Sequence, residues 1–378
     1  MSIRIGIVEL YCGGSGEKGF YNSQEIGMAK EYIRRGYECY IFRADKNISR
    51  ISEEIPDGME GIKYISIPSL KTVGVHGRFD PAVLDRYEID IFQIEGDNQL
   101  FLPGLIRHLK KAGPPFFYYL GVLHSNSKSR PARLIMNILI KRNIKLYRQG
   151  KCFVKTGALR EECLRAGIRD VTLAPVGLDL SVIPKDPGSV YGSRKVLSEK
   201  YGLDPYAKWL LFVGRMEEYK RPLDAVKVIK ALKGWQLIMI GTGSLNEAVD
   251  READKIRNDR KILHIHKIEN KNMFIWYSAA DCFLNLNPDE IFGMSMMEAN
   301  IRGCRVVAVT APGPLEIIKE GLNGFIAESP EEAAGLIDRE LDRERIREYA
   351  VRNFTWARAV DEFEEYIKNS FPDIKKLF

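Results

Sequence analysis

The sequence predicts an α/β protein built from two Rossmann-like domains, and three observations lead to this expectation. The chain has 378 residues, for which two domains are the default. Short apolar runs alternate with helix-like segments almost throughout, in two successive series, as in βαβ units. A stretch rich in Pro, Gly and Ser, LDLSVIPKDPGSVYGS, separates the two series near residues 178–193 and predicts a linker.

The predicted strands have continuous rather than alternating apolar character, which is typical of parallel strands buried on both faces. The first series is IRIGIV, ECYIFRA, KYISIP, DIFQIEG, PFFYYLGV, KCFVKT and VTLAPVG. The second is WLLFVGR, WQLIMIG, KILHIH, DCFLNLN, RVVAVT and GFIAE. We therefore expect one domain at residues 1–178, a second at 179–355, and a last helix over 356–378, with a central cleft between the domains.

Composition excludes several classes of protein. Hydrophobic residues make up 45% and charged residues 29% of the chain, which is ordinary for a soluble protein. No apolar run approaches the length that spans a bilayer, and MSIRIGIVEL has no pattern of a signal peptide. The six cysteines are scattered without a CxxC pair, which favours core residues in a reducing compartment. We expect a cytoplasmic protein.

Candidate ligand-binding residues of the second series follow its strands, where such sheets bind their ligands. In FVGRMEEYKRP a strand ends at Gly214, and Arg215 and Lys220 follow. These cations suit a diphosphate, because Arg forks onto its oxygens and Lys acts as a point charge. The alternative is a solvated pair in a charged turn. In IMIGTGSLNEA, Gly241 and Gly243 let the backbone approach a ligand, or form an ordinary βα connection.

The stretch NPDEIFGMSMMEAN, residues 287–300, holds two glutamates at the end of another strand. A helix is predicted from Gly293 to Ile301, and the amides at its start suit a phosphate. Glu290 precedes that helix and Glu298 lies within it, so their carboxylates are placed to accept sugar hydroxyls. Alternatively, Glu298 is a surface charge and Glu290 only complements the positive helix end.

Together these motifs resemble family 4 glycosyltransferases, which are retaining enzymes of the GT-B fold. GRMEEYK, IGTGS, NPDEIFGMSMMEANIRGCRVVAV and APGPLEIIKEGLNGFIAE occur in the family's order over most of residues 209–330. TGALREECLRAGIRDVTLAPVGLD at 156–179 resembles the passage into the second domain, more loosely. NFTWARAVDEF resembles the terminal helix that crosses back toward the first domain.

The resemblance implies a role for each matching residue. Arg215 and Lys220 would bind the diphosphate and stabilise it as it leaves, so that no metal is needed. Glu290 would hold the sugar near its third and fourth hydroxyls, and Glu298 the ribose diol. The implied set for the sugar donor is Gly19, Gly214, Arg215, Lys220, Gly243, Glu290, Ile291, Phe292, Gly293, Met294 and Glu298. In a front-face retaining reaction the leaving phosphate oxygen itself takes the proton of the attacking hydroxyl, so the protein mainly positions and stabilises charge.

Other candidates are weaker. KGFYNSQEIGMAKEYIRRGYE resembles the family's first glycine loop, with Gly19 at the first glycine and Phe20 replacing the second. His124 falls at or slightly past the place of a histidine near the donor sugar, and Leu120 or Gly121 is the alternative. Glu95 and Asp97 in QIEGDN either bind acceptor hydroxyls or cap the next helix.

No metal site is predicted. There is no Asp-x-Asp at a strand end, and His264 and His266 alternate on one strand without a third ligand in the sequence pattern. These histidines are expected to be structural or to line the base pocket. We expect no cofactor besides the nucleotide-sugar substrate.

Residues 127–151 form a basic stretch without an acid. Its apolar residues Leu134, Ile135, Ile138, Leu139 and Leu146 are expected to share a helical face. Such a helix suits an anionic membrane surface at which a lipid-linked acceptor would lie, or it buries that face within the domain. Nucleic acid is disfavoured, because no binding motif or aromatic platform accompanies the charge.

The sequence thus predicts a retaining, metal-independent transferase that moves a sugar from a nucleoside-diphosphate sugar to a saccharide or lipid-linked acceptor. Synthesis of a surface polysaccharide or glycolipid is the natural setting, at the inner face of the membrane if 127–151 binds lipid. One rival is a sugar-nucleotide epimerase, in which Glu95 or Asp97 would have to act as acid or base. The other rival is a non-catalytic carbohydrate-binding protein.

Overall fold

Two compact units make up the protein in the structure, a computed structural model. It describes residues 2–12, 23–55, 59–125, 130–184, 188–256 and 262–370. The first unit comprises Met1–Gly177 with Trp356–Phe378, and the second comprises Leu178–Thr355. Each unit has a mainly parallel sheet connected through helices, so the predicted α/β class and its two Rossmann-like domains are confirmed.

The first unit contains an eight-stranded sheet. Its strands are β1 (Arg4–Glu9), β2 (Glu38–Asp45), β3 (Ser52–Glu54), β4 (Ile62–Pro68), β7 (Ile91–Glu95), β8 (Phe116–Leu120), β9 (Cys152–Val154) and β10 (Val171–Leu173), with a separate hairpin of β5 (Lys71–Val73) and β6 (His76–Arg78). Its helices are α1 (Gln24–Arg34), α2 (Leu102–Ala112), α3 (Arg130–Tyr147) and α4 (Gly157–Arg165). The strand order is β10-β9-β8-β7-β1-β2-β4-β3, and within this sheet only the β3–β4 pair of the described strands is antiparallel.

The second unit contains a six-stranded parallel sheet of order β13-β12-β11-β14-β15-β16. Its strands are β11 (Lys208–Val213), β12 (Trp235–Ile240), β13 (Ile262–Ile265), β14 (Cys282–Asn285), β15 (Arg305–Val309) and β16 (Gly324–Ala327). Its helices are α5 (Val190–Tyr201), α6 (Pro222–Ala231), α7 (Asn246–Lys255), α8 (Met273–Ala279), α9 (Met294–Ile301), α10 (Pro312–Ile317), α11 (Pro330–Ile337) and α12 (Arg343–Asn353). Short 3-10 turns occur at Pro81–Tyr87, Leu180–Val182, Glu218–Lys220 and Asn270–Asn272.

The last helix, α13 (Trp356–Ser370), packs on the first unit. Its Phe363 is fully buried and its ring lies 4.8 Å from that of Phe153. Arg35, which follows α1, pairs with Asp361 at 2.7 Å and with Glu364 at 3.1 Å. The buried side of α13 therefore covers the β8–β9 region of the first unit's own sheet.

The strand order places a crevice in each sheet. From β1 the chain builds outward on one side through β2 and β4, then returns to add β7 beside β1 and continues on the other side. The same reversal occurs in the second unit, where β14 returns to lie beside β11. Loops that leave neighbouring strands in opposite directions part at such points, and ligands of open α/β sheets bind there.

All thirteen apolar runs contain strands of the two main sheets. Their continuous apolar character follows from burial on both faces, as in β12, where all six residues are buried. The sequence missed β3, β5 and β6, which are three residues long and largely exposed, so no apolar pattern marks them. All six cysteines are free and buried, as expected. Among the described residues, no helix has both the length and the apolarity to cross a bilayer.

Candidate active site

The loop after β11 carries the two predicted cations. Arg215 is exposed, and its guanidinium lies 5.4 Å from the centre of the Tyr219 ring. The Lys220 amine lies 5.6 Å from the same ring. Tyr219 therefore contacts both cations through its π face, an arrangement that sequence reasoning did not find.

Lys220 and Glu290 meet although seventy positions separate them in the chain. The Lys220 Nζ atom lies 2.5 Å from Glu290 Oε2, and their side chains are 21% and 13% exposed. β11 and β14 are neighbours in the sheet, so the loops after them emerge at one edge. The prediction that these two motifs converge at the carboxyl edge is confirmed.

Two buried amides orient Glu290. Asn285 and Asn287 each donate from Nδ2 to Glu290 Oε2 at 3.2 Å. Glu290 therefore does more than complement a helix end: its carboxylate is held at the strand edge by one cation and two amide donors. The signal for the asparagines was present in the run DCFLNLN, where polar side chains alternate with apolar ones at the end of a buried strand.

Helix α9 begins beside Glu290. It starts at Met294 with Gly293 as its N-cap, within one residue of the predicted bound. Gly293 has φ 92°, and a Cβ there would collide with Met296 and approach Glu290 to 3.2 Å. Glycine is thus required for the chain to turn into the helix past Glu290. Ile291, Phe292, Gly293 and Met294 connect Glu290 to the helix, with Phe292 buried.

Glu298 is not a surface charge. It is 9% exposed, and the hydroxyl of Tyr277 in α8 donates to its Oε2 at 2.9 Å. A carboxylate kept at this depth needs polar partners, because burial of an unpaired charge is costly. The sequence placed Glu298 on α9, but Tyr277 lies in an apolar run that gave no sign of its role.

Close backbone packing explains the glycine turn after β12. A Cβ on Gly243 would collide with the backbone of Met216 in the loop after β11. The amide of Gly243 bonds to Asn246 Oδ1 at 2.9 Å, and Ser244 bonds to Glu217. This packing of loop on loop holds the Arg215 loop in place, and the approach of the Gly243 backbone to a ligand stays a prediction. Gly214, at the end of β11, continues the ladder by bonding to Ile240 O at 3.0 Å.

In the first unit, Glu95 and Asp97 meet a lysine that sequence reasoning missed. Lys155, just after β9, is buried and lies 3.5 Å from Glu95 Oε2 and 3.8 Å from Asp97 Oδ2. Asp97 accepts from the amides of Gly121 and Val122. The alternative that Glu95 or Asp97 caps the next helix is wrong, since α2 has Phe101 as N-cap and no side-chain cap bond.

Burial sets the charge behaviour of this group. Burial raises the pKa of Glu95 to about 7, against the opposing effect of the Lys155 amine. Burial lowers the pKa of Lys155, but the carboxylates of Asp97 and Glu95 outweigh it and the net shift is upward. The group therefore holds a charged lysine beside a carboxyl that titrates near neutrality.

Two further predicted residues stand apart from these groups. His124 lies four residues beyond the end of β8, with a side chain 56% exposed and Nδ1 3.9 Å from Glu162 Oε1. The strand end itself is occupied by Leu120 and Gly121, the alternatives named above. Gly19 and Phe20 lie outside the described residues.

The expectation that His264 and His266 lack a third potential metal ligand is wrong, because Asp250 lies beside both. Asp250 in α7 lies 2.8 Å from His264 Nδ1 and 3.8 Å from His266 Nε2. The other ring nitrogen of His264 lies 3.0 Å from Gly241 O. Both ring nitrogens of His264 thus have oxygen partners within the protein, which is consistent with a structural role. The chain turn that brings α7 back over β13 could not be derived from the spacing.

The expectation for the apolar face of α3 is corrected in part. Leu134, Ile135 and Ile138 are 65%, 56% and 58% exposed, so they form one outward face. Leu146 instead packs against the core, and Leu139 is half-buried. Successive helical residues are rotated by about 100°, so Leu146 lies only about 20° from Ile135 around the helix, and its packing depends on its place near the end of α3 rather than on periodicity.

The fold is the GT-B fold of glycosyltransferases. HepE from Anabaena, solved in complex with UDP and glucose, has a TM-score of 0.70 at 15% identity and covers 97% of this chain and 100% of its own. Sucrose-phosphate synthase from Thermosynechococcus elongatus has a TM-score of 0.71 at 15% identity, with 98% and 100% covered.

Sequence comparison then gives the family. Residues 193–354 match the family described as "Glycosyl transferases group 1". A D-inositol 3-phosphate glycosyltransferase from Xylanimonas cellulosilytica is 22% identical over 343 residues, which are 83% of this chain and 81% of that protein. The second unit therefore carries the match to this family, and the resemblance to family 4 glycosyltransferases is confirmed.

Proposed function

We propose that the protein transfers a sugar, with retention of anomeric configuration and without a metal, from a nucleoside-diphosphate sugar to a hydroxyl of an acceptor. The observation that carries this proposal is the Lys220–Glu290 pair beside the start of α9. A cation for phosphate, a carboxylate for sugar hydroxyls and a helix N-terminus for negative charge meet at one strand edge. The relative HepE, solved with UDP and glucose, supports a nucleoside diphosphate as the leaving group.

Binding of the sugar donor would exchange the partners of this pair. The diphosphate takes the Lys220 amine and the Arg215 guanidinium, and the sugar hydroxyls take the Glu290 carboxylate, which Asn285 and Asn287 keep in place. Glu298, deeper along α9, receives the ribose diol while Tyr277 orients its carboxylate. The departing diphosphate is thereby stabilised by cations, and one of its oxygens accepts the proton of the attacking hydroxyl.

A transfer assay tests the proposal. Nucleotide sugars are first ranked by thermal shift, since a ligand at a hundred times its Kd adds about 2.7 kcal/mol of stability. The best of them is then incubated with acceptor in EDTA, and the product anomer is assigned by NMR. We expect transfer with retention at an undiminished rate. An inverted product, or a complete loss in EDTA that a divalent ion restores, contradicts the proposal; isomerisation of the nucleotide sugar without acceptor supports the epimerase instead.

Substitution of Glu298 is expected to change the affinity for nucleoside diphosphate, whereas substitution of Glu290 is expected to change turnover. Glu298→Ala removes the ribose acceptor and is expected to weaken binding of free nucleoside diphosphate by about 1.5–3 kcal/mol. Glu290→Ala is expected to lower turnover while leaving that affinity nearly unchanged. Calorimetry with the diphosphate and steady-state kinetics measure both. Tyr277→Phe, which removes only the bond that orients Glu298, serves as the milder comparison, and the reverse ranking of the two glutamates would exchange their roles.

We also propose that α3 brings the enzyme to an anionic membrane surface, where a lipid-linked acceptor for polysaccharide or glycolipid synthesis would be reached from the cytoplasmic side. The support is the exposed face of Leu134, Ile135 and Ile138 with Arg133, Lys141 and Lys145 beside it, all exposed. Such a face can bury apolar side chains at the lipid boundary while its cations meet the headgroups. Burial within the unit, the alternative for this stretch, applies to the opposite face, which includes Ile140 and Tyr147, and to Leu146 near the end of the helix.

Vesicle binding is expected to depend on those cations. Each cation contributes about 1 kcal/mol near an anionic surface, so Arg133→Gln, Lys141→Gln and Lys145→Gln together should weaken binding roughly 100-fold. Arg142 and Arg148 are left intact because their guanidinium groups donate to Leu100 O and Ala166 O. The matched control replaces three exposed cations of the second unit, Lys227, Arg251 and Lys271.

Cosedimentation with anionic vesicles at low and physiological salt measures this effect. Activity on a soluble acceptor should survive in the triple variant. If the wild-type protein does not bind such vesicles at low salt, or if the control variant loses as much vesicle affinity as the triple variant, the exposed face of α3 does not bind membranes.

A further inference from the structure

A cavity of about 410 Å³ lies in the first unit. Neither Glu95 nor Lys155 is among its described lining residues. It is formed by the residue after β1, the segment after β6, the start of α2 and one residue of α3. The full lining is Leu10, Arg78, Phe79, Pro81, Leu100, Phe101, Pro103, Gly104, Leu105, Arg107 and Arg142. Its volume is within the range of small-molecule sites, and Leu10 follows a strand at the switch point of the sheet.

The lining is positively charged. Among the described residues it contains three exposed arginines, Arg78, Arg107 and Arg142, and no carboxylate. Asp80, which stands between two lining residues in the chain, accepts from Ala82 N and caps the following turn. Helix α2 also starts here, with no side-chain cap bond and no acid in its first turn. Its positive end therefore adds to the three guanidinium groups.

The rest of the lining is apolar. Leu10, Phe79 and Leu105 are 3%, 2% and 2% exposed. The three guanidinium groups beside these apolar side chains are exposed, so their attraction for an anion is expected to weaken as salt rises. Arg142 is already oriented, because its Nη2 donates to Leu100 O at 2.6 Å and leaves other donors of the fork available.

We propose that this cavity binds the phosphate group of the acceptor. Arginine forks match the geometry of phosphate oxygens, and three of them around one cavity suit a group with two negative charges. The proposal rests on the proposed function in assigning the phosphate to an acceptor, and it names the acceptor class as a phosphate ester. Ile138 lies one turn before Arg142 on α3, so the exposed apolar face runs on from the cavity. The ester is therefore either a soluble sugar phosphate or a phosphorylated lipid headgroup.

Arg78→Gln with Arg107→Gln tests the proposal in the full-length protein, since neither arginine lies in the site of the sugar donor. Arg165→Gln with Arg169→Gln, two exposed arginines of the same unit, is the matched control. The soluble probe is glycerol 3-phosphate, with succinate at equal ionic strength as the comparison. The lipid probe is a neutral vesicle with or without phosphatidic acid. We expect the double variant, and not the control, to lose at least 10-fold in affinity for one of these phosphate esters.

The two probes distinguish a soluble phosphate ester from a lipid headgroup. Loss in the glycerol 3-phosphate arm assigns a soluble ester, and loss confined to the phosphatidic acid arm assigns a lipid headgroup. Equal binding by wild type and double variant in both arms, or equal stabilisation by succinate, overturns the proposal. Glu298→Ala distinguishes this outcome from failure of the proposed function, because it should lose nucleoside diphosphate yet bind the phosphate ester as the wild type does.

Discussion

Replacing Lys220 with alanine is expected to reduce kcat at least 100-fold. The amine is the cation closest to Glu290 at the strand edge, and it would face the diphosphate as negative charge develops there. Removal of one preorganised group that stabilises developing charge costs about 10²–10³ in turnover. Steady-state kinetics with the nucleotide sugar chosen by thermal shift measure this loss. Arg215→Ala should lose activity similarly, but with little effect on folding, because Arg215 is exposed.

The Lys220 variant has a second consequence that must be separated from the first. Among the described residues, it leaves the Glu290 carboxylate, 13% exposed, with the two asparagine amides as its side-chain partners, and such a loss destabilises a protein. Lys220→Ala combined with Glu290→Gln should therefore regain thermal stability without regaining kcat. Lys227→Ala, which removes a cation 71% exposed on α6, should change neither. Recovery of kcat in the double variant would reduce the role of Lys220 to holding Glu290.

The main-sheet strands were predictable because they carry their signal locally. A strand buried on both faces must be apolar along its whole length, so the runs that became β11, β12 and β14 were readable without knowledge of their neighbours. The placement of Lys220 and Glu290 followed from one more rule, that parallel strands present their carboxyl ends at one edge. Two residues far apart in the chain could thus be assigned to one site.

Partners that depend on packing between helices were not predictable in this way. Tyr277 reaches Glu298 because α8 packs beside α9, and Asp250 reaches His264 because α7 returns over β13. Neither residue interrupts an apolar pattern in a manner that marks it. Lys155 was missed for a related reason: it follows a strand of only three residues, and its carboxylate partners belong to β7 and the loop after it.

The outward face of α3 shows the limit of periodicity. The pattern located the helix and its basic character, but an apolar face can be buried by the protein's own core or left exposed for a partner. The side that the core takes is set by residues such as Ile140 and Tyr147, which are buried. Only the packed structure decides between these faces, and it left Leu134 and Ile138 in solvent.

The stability of the first unit is expected to fall as pH rises through the range from about 4.5 to about 7, and Glu95 is one cause, beside Glu9 on β1, whose pKa burial also raises. Its folded pKa is raised to about 7 by burial, whereas the unfolded chain has the ordinary value, so the folded state binds the extra proton in this window. The stabilisation is present at the acid end and is lost above pH 7, and a shift of this size corresponds to about 3 kcal/mol. Glu95→Gln, which cannot ionise, should reduce that dependence and be more stable than wild type at pH 8. Hydrogen exchange of β7 and β8 amides at pH 5 and pH 8 reports on this unit alone, after correction for the intrinsic exchange rate.

The control is Glu161→Gln, which removes an exposed carboxylate of α4 and should keep the wild-type dependence of stability on pH. A slope that persists undiminished in Glu95→Gln would mean that other groups, such as Glu9, and not Glu95 set the pH dependence of this unit.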